Sequence, residues 1–548
     1  MSKDVENGYS EPEIVSSTPP QQRLPQRPLT AEEKLAATTH KQRYINSSGS
    51  SSQQEQEQEH YNGQIVNSTG FLGKLRHFEA ALDKKLGVES EAIDRKLPED
   101  RTRPTWHNQL NMALLWASGT MNLSCFASGF LGPASFGLSL KQSIVIVIFA
   151  SLLGAGISGF TATFGAPMGL RQISVGRYSM GWYPNKICAA LNAIQQLGWS
   201  ATGCITGGIA LQAVSNNHIS ISVGIVIIAV ISLLVSTLGL RAILVYEKYA
   251  WFIYLVIFII ILAETGRYAD NTSPAKSSGA DLSANVLNLL AVVYGSSASW
   301  ATLASDYYVH YPVNVNRVKV FFMTTFGIAI PTSIGMVSGA VVASALNNRP
   351  DWNAEYNNSI GFLIQTMLYP RGFAKFILVL LVLSGINLNI INTYSAAISC
   401  QQFARPFALI PRFIWTIICF GVVIALSLAG KDHLLAYLEN FLSLLGYWCT
   451  SYFVIVFTEH FVFRKADFNN YDLDGWNDPA RLPLGIAAMT AFCFGVIAWV
   501  MGMYETWYVG PLAKLIGGGG DVANEFTLVV TFVTYIPVRY LELNHFGR

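Results

Sequence analysis

Two apolar stretches carry uncharged amides where lipid-facing sequence has none: Leu191–Trp199 (LNAIQQLGW) and Gly385–Tyr394 (GINLNIINTY). An amide stripped of water without a partner is unfavourable by several kcal/mol. Inside a bilayer such residues face another helix or a cavity, and they often mark a substrate path. Asn192, Gln195 and Gln196 stand at i, i+3 and i+4 and share one helical face. Asn389 and Asn392 are likewise three apart; Ser395 and Ser399 continue their face, and Asn387 falls on another. Each carboxamide offers an acceptor oxygen and two N–H donors. A pair of them reads a lactam or amidine edge, which suits a small, neutral, flat heterocycle better than an ion. Such amides also tie helix to helix. Five of them on two related spans favour a site.

Trp300 follows a run of small polar residues, Gly295–Ser299, inside a further apolar stretch; a second run, Ser118–Asn122, interrupts another. Paired interruptions in two halves of a chain point to a transporter site, although Gly and Ser also permit close helix packing. Ser118 therefore joins the candidate binding residues. An indole stacks on a planar ring, with Trp300 the first candidate and Trp199 the second. Among the few carboxylates in or near the spans are Glu264, Glu459, Asp306 and Glu439. Asp306 and Glu439 are the candidates for carrying a proton, since a carboxylate in dry surroundings can take one up; either could equally be a helix-end charge. No nucleophile–base set, HExxH or P-loop occurs in a credible setting, and the glycine run 517–520 lacks the strand a phosphate loop needs. The seven cysteines form no CxxC pair and suit packing, so neither a metal nor any other cofactor is expected.

These residues need a membrane domain to position them. The 548-residue chain is 51% hydrophobic and 13% charged, against about 25% charged in soluble proteins. Its apolar residues fall in blocks of roughly 20, the length of a helix crossing a bilayer. About twelve spans are expected, near 111–131, 143–164, 187–212, 218–240, 249–265, 284–304, 320–345, 374–399, 413–430, 435–458, 484–504 and 523–541. The polar breaks fall in spans 1 and 6 and the amides in spans 3 and 8, five apart in each case. Two inverted five-helix repeats with two added helices would give this spacing. Residues 1–70, rich in Ser, Gln, Glu and Pro, read as a disordered cytoplasmic tail whose lysines could accept ubiquitin. Residues 71–106 read as an amphipathic juxtamembrane segment, 107–541 as the transmembrane domain and 542–548 as a short cytoplasmic C-terminus. Lys and Arg are denser in the loops on the side of the termini, which places both ends in the cytoplasm. The net charge of +2 and the lack of a long basic run give no reason to expect nucleic acid as a partner.

From about residue 71 onward the chain resembles a fungal member of the nucleobase–cation symporter-1 family, in its purine-cytosine permease branch. The motifs are Leu131-Gly132-Pro133 with Phe136-Gly137-Leu138, Met168-Gly169-Leu170-Arg171-Gln172 with Arg177-Tyr178, and Tyr246-Glu247-Lys248. Trp300 with Ala304-Ser305-Asp306-Tyr307, Ile391-Asn392-Thr393-Tyr394-Ser395, Glu459-His460-Phe461, LPLGIA at 482–487 and the terminal RYLELNHFGR complete the set. The resemblance implies an all-α, leucine-transporter-like fold of ten core helices plus two. It implies import of cytosine, adenine, guanine or hypoxanthine with a proton across the plasma membrane, driven by the proton gradient. The family's stacking Trp is matched by Trp300. Its Asn-Asn-x-Pro-Asn motif in span 8 is matched only at Asn389 and Asn392, with Leu388 and Ile391 in place of the first Asn and the Pro. The Ile-Ile-Asn-Thr-Tyr-Ser form is similar to fungal vitamin B6 permeases of the same branch, whose pyridoxine is also a small flat heterocycle.

Overall fold

The computed structural model describes residues 93–101, 106–237 and 240–548. The expected tail 1–70 and most of the expected juxtamembrane segment lie outside the described residues. Among the described residues, twelve helical crossings follow in order. Span 1 is Trp106–Thr120 with Leu123–Gly129, span 2 Leu140–Ala162, span 3 Asn185–Val214, span 4 Ile221–Thr237, span 5 Leu240–Thr265 and span 6 Gly279–Ala298. Span 7 is Arg317–Ala345, span 8 Arg371–Phe403, span 9 Arg412–Gly430, span 10 Leu434–Thr458, span 11 Ile486–Gly502 and span 12 Ala523–Phe546. Seven helices among the described residues are long and apolar enough to cross a membrane on those grounds alone. Spans 4 and 11 are apolar but short. Spans 1, 3 and 6, which carry the breaks and the amides, are not among those seven helices.

Packing follows the repeat. Span 2 lies along span 7 and span 3 along span 8, so helices five apart meet across the pseudo-twofold. Span 1 packs on span 7 as span 6 packs on span 2, and span 5 meets span 1 as span 10 meets span 6. Glycines allow the closest approach: a Cβ on Gly385 would stand 2.6 Å from the Gly203 carbonyl oxygen, so spans 3 and 8 touch backbone to backbone. Short elements not legible as crossings lie in the loops. A buried helix Gln172–Met180 follows span 2, two helices (Pro350–Asn358, Ile360–Met367) precede span 8, and a hairpin, Tyr504–Glu505 with Tyr508–Val509, joins spans 11 and 12.

Spans 11 and 12 are fastened to span 10 at the face carrying Arg548, called the near face below. Glu459 is fully buried and accepts from Arg539 Nε (3.0 Å), Arg464 Nε (3.0 Å) and Tyr535 Oη (2.9 Å). Glu542 accepts the first N–H groups of span 11, from Gly485, Ile486 and Ala487, at 2.9 to 3.2 Å. Those groups have no intrahelical partner and favour an anion. The helix of span 12 therefore runs past residue 541, through Glu542 to Phe546. Removing one partner of a buried ion pair leaves an uncompensated charge. Glu459→Ala is expected to lower stability by about 3–5 kcal/mol, read as a fall in thermal midpoint and in surface protein.

Candidate functional site

The site is built where spans 1 and 6 lose helical geometry. In span 1 the helix stops at Thr120 and restarts at Leu123. Asn122 serves both halves: its Nδ2 donates to the Gly119 carbonyl (3.0 Å) and its Oδ1 accepts from the Cys125 N–H (2.9 Å). In span 6 the α-helix persists through Gly295 and ends at Ala298, then tightens into single turns over Ser299–Thr302 and Ala304–Tyr307. The break thus comes a few residues later than the small-residue run suggests. Gly295 is a packing residue: a Cβ there would stand 3.0 Å from the Gly446 nitrogen of span 10.

Trp300 lies in this unwound stretch, 8% exposed, edge-on to Trp116 with ring centroids 5.5 Å apart. A Cβ on Gly119 would stand 3.4 Å from Trp300 Cη2 and 3.7 Å from Ile391 Cδ1, so the indole, the span 1 break and span 8 meet at one point. Trp199 is elsewhere, edge-on to Phe441 of span 10 at 5.7 Å.

The amides divide into two groups. Asn192 donates to Ser399 Oγ (2.8 Å), and its Oδ1 accepts from Thr302 Oγ1 (2.7 Å) and Gln196 Nε2 (3.1 Å). Gln195 Nε2 donates to the Ser299 carbonyl (2.8 Å) and Thr302 Oγ1 (3.0 Å). Spans 3, 6 and 8 are therefore joined at the unwound turn. Asn389 turns to span 3, where Nδ2 meets Cys204 Sγ at 3.1 Å and Oδ1 accepts from Thr393 Oγ1 at 2.9 Å. Its amide nitrogen thus ties span 8 to span 3. Gln196 Oε1 and Asn392 Nδ2, by contrast, are buried without a hydrogen-bond partner. Contacts of Asn192 with Ser399 and of Ser200 with Thr393 set the antiparallel register of spans 3 and 8. Asn392 then lies level with Ser200, about one turn from Gln196, on the order of 5 Å along the axis. Ser118 and Asn387 also meet, Asn387 Nδ2 to Ser118 Oγ at 3.3 Å. A polar space of about 690 Å³ opens at the far face between Gln212, Asn216, Glu355, Gln365 and Arg371.

Of the two proton candidates, Asp306 sits on the near-face side of the break. Its Oδ1 accepts from the Gln172 N–H at 2.6 Å and its Oδ2 lies 3.7 Å from Arg171 Nη1. Arg171 also reaches Tyr394 of span 8 (3.4 Å), and Gln172 Nε2 donates to Tyr452 of span 10 (3.0 Å). The loop after span 2 therefore joins spans 6, 8 and 10 beneath the amides. Glu439 lies at the other end, in the second turn of span 10.

Residues 98–522 match the family described as permease for cytosine/purines, uracil, thiamine, allantoin. The chain belongs to this permease family. It is 34% identical over 469 residues to the purine-cytosine permease FCY21 of Saccharomyces cerevisiae, covering 84% of this chain and 88% of that one. It is 35% identical over 470 residues to the purine-cytosine permease fcyB of Emericella nidulans, covering 85% and 91%. The vitamin B6 transporter TPN1 of Saccharomyces cerevisiae is 32% identical over 538 residues, covering 88% and 93%. Among solved structures, Mhp1, a nucleobase-cation-symport-1 family transporter in a closed conformation with bromovinylhydantoin bound, shares the fold with a TM-score of 0.59 at 14% identity, covering 83% of this chain and 96% of that chain. The inward-facing conformation of Mhp1 gives 0.60 at 13%, covering 83% and 95%. The protein is thus an all-α, multi-pass membrane transporter of nucleobase type and not an enzyme.

This permease also carries an acid pair that the sequence does not announce. Tyr447 Oη lies between Asp521 Oδ2, in a short contact, and Glu505 Oε1 at 3.2 Å. One phenol proton cannot serve two carboxylates, so the arrangement favours a second proton on the pair. Burial, then the Asp521 charge and Glu439, pushes the Glu505 carboxyl up to about 9. Burial and the Glu525 charge push Asp521 up to about 7, against hydrogen bonds from Tyr447 and the Tyr504 and Ala523 N–H groups. The glycine run belongs to this loop: Gly517 and Gly519 have φ of +53° and +125°, and the Gly519 carbonyl accepts from Asn288 of span 6 (3.1 Å). A carboxyl raised in the folded state gives stability that is complete below about 4.5 and is lost as pH rises through about 9. The thermal midpoint of the purified protein is expected to fall between pH 5 and pH 9, and Glu505→Gln to flatten that slope. An unchanged slope in the variant would assign the pH dependence to other groups.

Proposed function

We propose that this permease imports a small planar heterocycle, foremost a purine or cytosine nucleobase, across the cell membrane together with a proton. One observation carries the reading: the Trp300 indole is buried in an unwound helix, and spans 3 and 8 present a buried unpaired amide acceptor, Gln196 Oε1, and a buried unpaired amide donor, Asn392 Nδ2. Buried polar atoms are normally partnered, and a nucleobase edge supplies an N–H and a carbonyl or ring nitrogen together. Ser118, Asn192, Gln195 and Asn389 support this pair, the last by holding span 8 against span 3. The relatives named as purine-cytosine permeases point the same way. In this reading Asp306 or Glu439 passes the proton, no cofactor is required, both termini are cytoplasmic and tail lysines accept ubiquitin.

A second reading, import of vitamin B6, is favoured by Ile391. Its aliphatic side chain rather than a proline reaches the Trp300 neighbourhood, and a vitamin B6 transporter matches over 538 residues. Uptake of labelled cytosine, adenine, hypoxanthine and pyridoxine by yeast lacking its own permeases separates the two readings. Accumulation of a base is expected; uptake of pyridoxine alone selects the second reading.

Losing one hydrogen bond to a buried partner is worth about 1–3 kcal/mol. Asn392→Ala is therefore expected to reduce uptake by roughly tenfold to a hundredfold, and Trp300→Ala to abolish it, with surface protein retained. Normal uptake by both variants would remove the site. Asp306→Asn is expected to reduce the response of uptake to external pH; an unaltered pH profile excludes Asp306 as proton carrier.

A further inference from the structure

Asn387 is a polar side chain of span 8 that meets span 1 rather than span 3. It is 2% exposed, its Nδ2 donates to Ser118 Oγ at 3.3 Å, and its Oδ1 is buried without a partner. Ser118 precedes Gly119, the residue against which Trp300 and Ile391 come to rest. Ile391 is one helical turn beyond Asn387 on the same face. The Asn387 carbonyl oxygen is therefore fixed at the junction of the span 1 break with span 8, about one turn, on the order of 6 Å, along the axis from the Trp300 contact. Its orientation is set from the other side: the Ser118 hydroxyl accepts from the amide nitrogen and leaves the oxygen as the open end.

We infer that Asn387 is a specificity-determining residue of this permease, its Oδ1 accepting a hydrogen bond from an N–H or O–H on the rim of the heterocycle. The inference rests on the transport reading above. Gln196 and Asn392 address the ring from the span 3 side, whereas Asn387 addresses it from the side of span 1. The amide thereby selects molecules that carry a donor there. Ser118 acts as a positioning residue, because it holds the amide in the orientation that presents oxygen.

Competition against uptake in cells expressing the full chain tests this. The labelled substrate is whichever of cytosine, adenine, hypoxanthine or pyridoxine the wild-type protein accumulates. The competitors are its mono-methylated derivatives, one for each N–H or O–H. The wild type is expected to reject one methyl derivative at least tenfold relative to the parent, and Asn387→Ala to bring that ratio close to one while parent uptake falls. Asn387→Asp keeps an oxygen acceptor and is expected to keep the rejection; it also serves if the alanine variant fails to reach the surface. A rejection ratio that stays the same in Asn387→Ala, or a wild type that accepts every methyl derivative, overturns the assignment. A wild type that accumulates none of the four compounds instead overturns the transport reading, so the two failures are distinct.

Discussion

A polar side chain inside a bilayer has no water to fall back on, and the rest of this structure follows from how that demand is met. Span 3 and span 8 bring their amides to the level where span 6 gives up its α-helix. The unwound turn supplies the Ser299 carbonyl and the Thr302 hydroxyl that Gln195 and Asn192 need. The break and the amide cluster therefore stabilise each other. Unwinding span 6 exposes backbone groups that only polar neighbours can satisfy, and the amides would be unpaired against a regular helix. Among the atoms left unpaired after this exchange are one amide donor, Asn392 Nδ2, and two amide acceptors, Gln196 Oε1 and Asn387 Oδ1.

The repeat places these parts without requiring similar sequences in the two halves. Spans 2 and 7, 3 and 8, and 4 and 9 pack on each other, and the breaks of spans 1 and 6 meet where Gly119 faces Trp300. The two ends of the molecule are closed by different chemistry. At the near face, Arg171 and Gln172 bind Asp306, Tyr394 and Tyr452 and so link spans 6, 8 and 10 below the amides. At the far face a hairpin and a glycine loop lie over the end of span 6, held through Asn288, Tyr447 and a protonatable acid pair.

Much of this was legible because the bilayer restricts what sequence can do. Crossings need about 20 apolar residues, so span positions follow from hydropathy, and polar interruptions stand out against them. The face shared by Asn192, Gln195 and Gln196 follows from helical spacing, and Trp300 from its place after a run of small residues. The occupant opposite each face is not legible. Asn389 and Asn387 differ by two positions, yet Asn389 is held by Cys204 and Thr393 while Asn387 meets span 1. Gly203 and Gly385 draw span 3 onto the Asn389 side, and that choice depends on a contact between residues 182 positions apart (385 − 203). The acid pair was hidden for the same reason: Tyr447, Glu505 and Asp521 converge only in the fold. Gly295 shows the opposite error, a residue that reads as a helix breaker but serves close packing.

The central claim is that a planar ring occupies the space bounded by Trp300, the span 1 break and the unpaired amides. A structure of the protein determined with a transported heterocycle tests it most directly. The account predicts the ring stacked on the Trp300 indole with its edge bonded to Gln196 or Asn392. A ring bound only in the far-face space between Gln212, Asn216 and Gln365, with both central amides still unpaired, would contradict it.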